Sequence, residues 1–186
     1  MLYKWLNNKG EKMDSIFMNL SNNREITDII ICGTVDNDDN VFQFYFDLRV
    51  VYFECGSNYL RLESVNQYSM LNFSVVDYIK FDYEIDEDMH RARSSVKDIV
   101  LDNSGAVGNN IHEIVLYDRI ERDICAAMKI RLENGQEIFI DPSYIFGINI
   151  GGEKQHTIWK NNYHNINHMN KECIILWNKS VPHKSR

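Results

Sequence analysis

Four side chains near the C-terminal end are of the types that bind zinc or move protons: His156, His164, His168 and Cys173. Imidazole and thiolate are ligands that zinc prefers. No Cys-x-x-Cys precedes a His-x-x-x-His, so the spacing matches no zinc template. The polar, Asn-rich surroundings favour histidines that face solvent. The same residues outline an enzymatic alternative, a small hydrolase or nuclease. In it His164 or His168 acts as base, and Lys160 or Lys171 stabilises a phosphoryl transition state.

The carboxylates form two denser groups. Asp36-Asn37-Asp38-Asp39-Asn40 opens like a calcium loop. The match fails at Val41, where a glycine is needed for the sharp turn, and at Asp47, where a bidentate Glu is needed. A hairpin turn is the better reading. Asp82, Glu84, Asp86, Glu87 and Asp88 place five carboxylates within seven residues. Helix capping and solvation account for most of that run, and a partner-facing patch is the functional option. Asp118, Glu121 and Asp123 interleave with Arg119 and Arg122. Phosphate-loop, dinucleotide and nucleophile-elbow motifs are absent. The expected cofactor is none, and so is the expected metal.

These residues must be positioned by β-structure. REITDIIICGTV and VFQFYFDLRVVYFEC flank the acidic turn, and Phe42, Phe44, Phe46 and Leu48 alternate with Gln43, Tyr45, Asp47 and Arg49. A period of two predicts a half-buried strand. Residues 58–68 and 71–85 continue the alternation, with a slip near Val76–Asp77 that suggests a bulge. The pattern predicts a four-stranded meander. A short helix is expected over 13–23 and another from about 87 to 101, capped by Asp86. Residues 111–120 read as a strand. Asn134-Gly135 lies between two alternating runs and predicts a type I′ hairpin. Residues 143–152 read as a turn followed by a strand, and Glu172–Trp177 as a final strand. The expected fold is α+β, a predominantly antiparallel sheet of hairpins with one or two helices packed on it. Residues 1–12 read as an extension, 13–177 as one domain and 178–186 as a basic tail.

The charge is divided unevenly. Residues 1–141 carry 14 Lys/Arg against 25 Asp/Glu, and residues 142–186 carry 6 against 2. An acidic body repels phosphates, which disfavours direct binding of nucleic acid, and it attracts basic partners. The four cysteines lie in apolar runs without Cys-x-x-Cys pairs, so reduced, mostly buried thiols are expected. No stretch approaches about 20 apolar residues, and MLYKWLNNKGEKMD is too short for a signal or a span, which leaves no membrane role and a cytoplasmic location as the expectation. Abundant Asn and Ile hint at a bacterial or phage origin.

Small, acidic, β-rich, Asn/Ile-rich and without catalytic motifs, and with the segment LENGQEIFIDPSYIFGINIGG, the chain resembles the immunity proteins of bacterial toxin–immunity pairs, including those of contact-dependent growth inhibition. The resemblance implies a protein that is not an enzyme and that covers the active site of a cognate toxin domain, often a nuclease. The residues expected to face such a basic partner are Asp36, Asp38, Asp39, Glu84, Asp86, Glu87 and Asp88, with Tyr45 and Tyr83 as aromatic anchors.

Overall fold

The computed structural model describes residues 16–20, 23–81, 84–102, 108–163 and 168–175. Among them, eleven strands join one mostly antiparallel sheet, accompanied by two short helices. The fold is the expected α+β arrangement.

The first four strands are β1 (Ile26–Asp38), β2 (Val41–Cys55), β3 (Asn58–Val65) and β4 (Met70–Val76), each antiparallel to the next. This is the expected meander. Alternation sends Ile29, Val51, Phe53, Leu60, Leu62, Leu71 and Phe73 into one core. Asp39 (φ 49°) and Asn40 (φ 64°) form the β1–β2 turn. Positive φ at both central residues is what a type I′ turn requires, and Asp and Asn accept it more readily than most residues.

The second half contains β6 (Ile111–Tyr117), β7 (Ile124–Cys125), β8 (Ala127–Leu132), β9 (Glu137–Tyr144), β10 (Gly147–Gly151) and β11 (Lys171–Ile175). β7 pairs with β4, and the order β11-β6-β8-β9-β10 continues into β2. The join is a single parallel bridge, Gly147 beside Leu48. Gly147 has φ 126°, and a Cβ there would lie 2.3 Å from the Leu48 carbonyl. Only glycine lets the two halves close at this point. The curled sheet then buries Ile114, Leu116, Met128, Ile130, Ile138 and Ile140 against the meander.

The opposite face of β6, β8 and β9 is covered by α2 (Glu153–Asn162), which follows β10. No helix is expected there from the sequence, because the stretch is polar. It holds by Trp159 and His156 packing on Tyr117 and Phe139. No helix among the described residues is long and apolar enough to cross a membrane.

Several expectations are corrected. The helix over 87–101 is instead β5 (Met89–Ser95), with only α1 (Lys97–Val100) helical. β1 offers a vacant ladder from Ile30 to Asp36, and β5 takes it. Tertiary pairing overrides weak helical periodicity. Asp86 is no helix cap; its carbonyl accepts a turn bond from the Met89 N–H at 3.1 Å. The strand over 71–85 ends at Val76, without the suggested bulge. The chain leaves there so that Ile79 and Phe81 cover Ile30, Cys32 and Tyr52 on the outer face of the meander. At Asn134-Gly135 only Gly135 has positive φ (90°). The Gly135 N–H bonds to the Leu132 carbonyl at 3.1 Å and the Leu132 N–H to the Gln136 carbonyl at 2.9 Å, so the connection has three residues rather than a two-residue type I′ turn. Of the helix expected over 13–23, residues 16–20 form turns that bury Phe17 and Leu20, and 13–15, 21 and 22 lie outside the described residues. The 1–12 extension and the 178–186 tail also lie outside them.

Candidate functional site

β2 is longer than the strand beside it. β3 pairs with it only from Val50 to Cys55, while β1 runs beside it to the Asp38–Val41 closing pair. The excess length projects from the sheet as a ribbon of β5, β1 and β2. A break in register marks its root: Ile31 lies opposite Val51, but Cys32 lies opposite Asp47. The extra residues Leu48–Val50 form a bulge opposite β1, held by Asp47, whose Oδ1 accepts from the Arg49 backbone N–H (3.0 Å) and Nε (2.8 Å). Burial would raise the Asp47 pKa, but these bonds outweigh it and hold the carboxyl below its usual range. A cavity of about 190 Å³ opens beside the bulge, next to Cys32, Tyr52 and the Arg49–Asp47 and Arg61–Glu63 ion pairs (2.7 and 2.8 Å). Just beyond, Gly33 lets β1 and β2 approach. A Cβ there would lie 2.1 Å from the Tyr45 carbonyl oxygen.

Directly opposed residues of an antiparallel pair share a face. Phe42, Phe44 and Phe46 therefore lie with Asn37, Val35 and Gly33, and His90 and Ala92 of β5 extend that face. This corrects the expectation of a half-buried strand. Phe42 is 60% exposed and Phe44 61%, and the Phe44 and Phe46 rings stack with centroids 6.5 Å apart. The sheet body stops short of them, so no second layer covers them among the described residues. At the root of the ribbon, the β9–β10 turn adds exposed Tyr144, Ile145 and Phe146.

The other face carries Asp36, Asp38 and Tyr45, the last 52% exposed. The tip brings the two acidic groups together. Met89 pairs with Asp36, so Asp86, Glu87 and Asp88, all exposed, end beside exposed Asp38 and Asp39. Glu84 is also exposed, and Tyr83 and Asp82 lie outside the described residues. The Oδ1 atoms of Asp36 and Asn37 are shielded from water and have no hydrogen-bond donor among the described residues.

The described members of the histidine group do not form a comparable site. His156, expected to face solvent, is 8% exposed and stacks on Phe139 with centroids 4.5 Å apart. Burial, reinforced by the charges of Lys160, Lys129 and Lys171, pushes its pKa down to about 4. His168 and Cys173 are exposed, and His164 lies outside the described residues. Among the described residues no three His, Cys, Asp or Glu side chains could hold one metal ion. Asp118 and Asp123 serve the scaffold: they accept from the Tyr163 hydroxyl and from Asn72 Nδ2. Arg119 pairs with Glu172 at 3.0 Å.

The aromatic face is the feature that sequence reasoning missed. Length is no signal in the sequence, since the runs over 58–68 and 71–85 read as comparably long; the structure ends β3 at Val65 and β4 at Val76 and so leaves β2 to outreach them. Comparison with protein families, curated proteins and solved structures found no match for this chain.

Proposed function

We propose that the chain is a binding protein that captures a basic partner protein at the tip of the β5–β1–β2 ribbon. The reading that its composition favours is neutralisation of a bacterial toxin domain, a nuclease in particular, by covering its active site in the cytoplasm. The observation that carries the proposal is the meeting of residues 36–39 and 86–88 at one exposed end of a ribbon bearing uncovered aromatic rings. Clustered carboxylates speed encounter with a basic surface, and exposed aromatic residues supply burial once contact is made. Tyr45 stands on the acidic face and is the anchor this reading favours. The second reading is the enzyme that uses His164 or His168 as base; His168 is exposed.

The test is co-expression with the product of the neighbouring gene, followed by co-purification. The wild-type chain should protect the cell and retain the product. A variant with Asp38, Asp39, Asp86, Glu87 and Asp88 changed to Lys should fold, by circular dichroism, and fail at both. Equal protection by that variant overturns the proposal. An activity lost on His164→Ala with His168→Ala, with protection unaffected, would revive the enzyme.

A further inference from the structure

We propose that the outer edge of β2, Val41 to Asp47, is a strand-addition site that takes an extended basic segment of the partner. The inference rests on the capture reading above and adds the mode of recognition. A two-residue hairpin closes on a hydrogen-bonded pair, here Asp38–Val41. Alternation along the ladder then directs the backbone of Val41, Gln43, Tyr45 and Asp47 toward β1, and that of Phe42, Phe44 and Phe46 outward. No strand among the described residues pairs with this outward side; β10 reaches only Leu48, and β3 only Val50. Proteins usually blunt such edges with Lys, Pro, a bulge or short length. This edge has seven residues, no Lys and no Pro, and its bulge lies at the root rather than along it.

Charge selects the occupant. A second copy would bring a net charge of −7 against −7. A basic strand has a better fit on both faces. Beside Phe42, Phe44 and Phe46 it would place apolar side chains. On the other face, long cationic side chains would reach one strand inward to Asp36 and Asp38. Asp36 is half-buried and Asp38 exposed, so both residues offer carboxylate surface to such a cation. Partner segments alternating Lys or Arg with Val, Ile or Phe meet these demands.

The probe is a ten-residue peptide alternating Lys and Val, titrated into the full chain by calorimetry. Two control peptides carry Glu in place of Lys, or N-methyl groups on alternate residues. The Lys–Val peptide should bind and both controls should not. Phe44→Pro removes an outward N–H that no strand among the described residues uses, a position where edge strands tolerate proline. It should weaken the peptide about fivefold or more, the equivalent of one net hydrogen bond. Asp36→Asn should weaken it as well. Equal binding of the N-methylated peptide overturns strand addition while leaving charge-driven capture intact. Failure of the co-expression test with intact peptide binding overturns capture instead. A dimer that Phe44→Pro dissociates, with no peptide binding, makes a second copy the occupant and refutes the proposal. So does peptide binding that needs removal of residues 178–186, since the chain's own basic tail would then hold the edge.

Discussion

Acid should loosen the packing of α2 before it affects the meander, and His156 is the reason. The ring is nearly buried between Phe139, Tyr117 and Trp159, with centroids 4.5, 5.1 and 6.4 Å away. Its pKa falls from 6.5 to about 4, so the folded chain holds the ring neutral where the unfolded chain protonates it. Between those values the unfolded state binds more protons, and stability falls as pH falls. The contribution is complete above pH 6.5 and is lost through about pH 4. At about 1.4 kcal/mol per pH unit, the whole window is worth about 3 kcal/mol, and about 2 kcal/mol is lost by pH 5. Glu137 and Asp47, whose pKa values are lowered, lose stability in the same direction but below their ordinary carboxylate values, and their share is unchanged by substitution at 156. His156→Phe removes the titrating group and keeps a ring in the stack. Since His156 Nε2 has no hydrogen-bond partner among the described residues, the change should shift stability at pH 7.5 by no more than about 1 kcal/mol. Urea unfolding followed by tryptophan fluorescence at pH 7.5 and 5.0 reads both terms. The variant should be flatter with pH by about 2 kcal/mol. Parallel pH dependences for wild type and variant would refute the reasoning, as would a His156 ring resonance titrating near 6.5.

Gly147→Ala should be among the most damaging single changes, by more than about 3 kcal/mol, because it combines an unfavourable positive φ with a backbone collision at Leu48; thermal unfolding measures it. Tyr52→Phe removes a hydroxyl that donates to the Lys80 carbonyl (2.8 Å) and accepts from the Lys80 N–H (3.2 Å). It should cost about 1–3 kcal/mol and raise amide exchange over 77–81. Alkylation of the native chain at pH 8 should reach Cys173 alone and slowly, since its residue is exposed but partial desolvation of the thiol and the neighbouring Glu113 raise its pKa. Cys32, Cys55 and Cys125 are buried, and burial pushes their thiols to about 11, 12 and 12. All four should react in urea, as mass spectrometry would show.

The meander was legible because its strands have one buried face each, and alternation reports that directly. The Asp-Asn turn was legible for the same local reason. The sequence over 87–101 does not distinguish helix from strand, because His90, Arg91, Ala92 and Arg93 suit either state. A vacant edge some sixty residues earlier chose the strand. Helix α2 leaves no sequence signal because its buried contacts are two rings, His156 and Trp159, too few to make a period. Of the candidate site, the acids were legible as composition, and the exposed rings were not. Phe42, Phe44 and Phe46 alternate as buried residues do, and only the tertiary structure leaves their face without a second layer among the described residues.

The sequence by itself determined an acidic, antiparallel chain with carboxylates at 36–39 and 84–88, because charge and alternation are local properties. Only the tertiary structure decided that residues 36–39 and 86–88 meet, and that they meet beside an open strand edge. The pairing of β5 with β1 and the overhang of β2 are relations between distant segments. They depend on which edges are left vacant when the core closes, and no residue records that in its own neighbourhood.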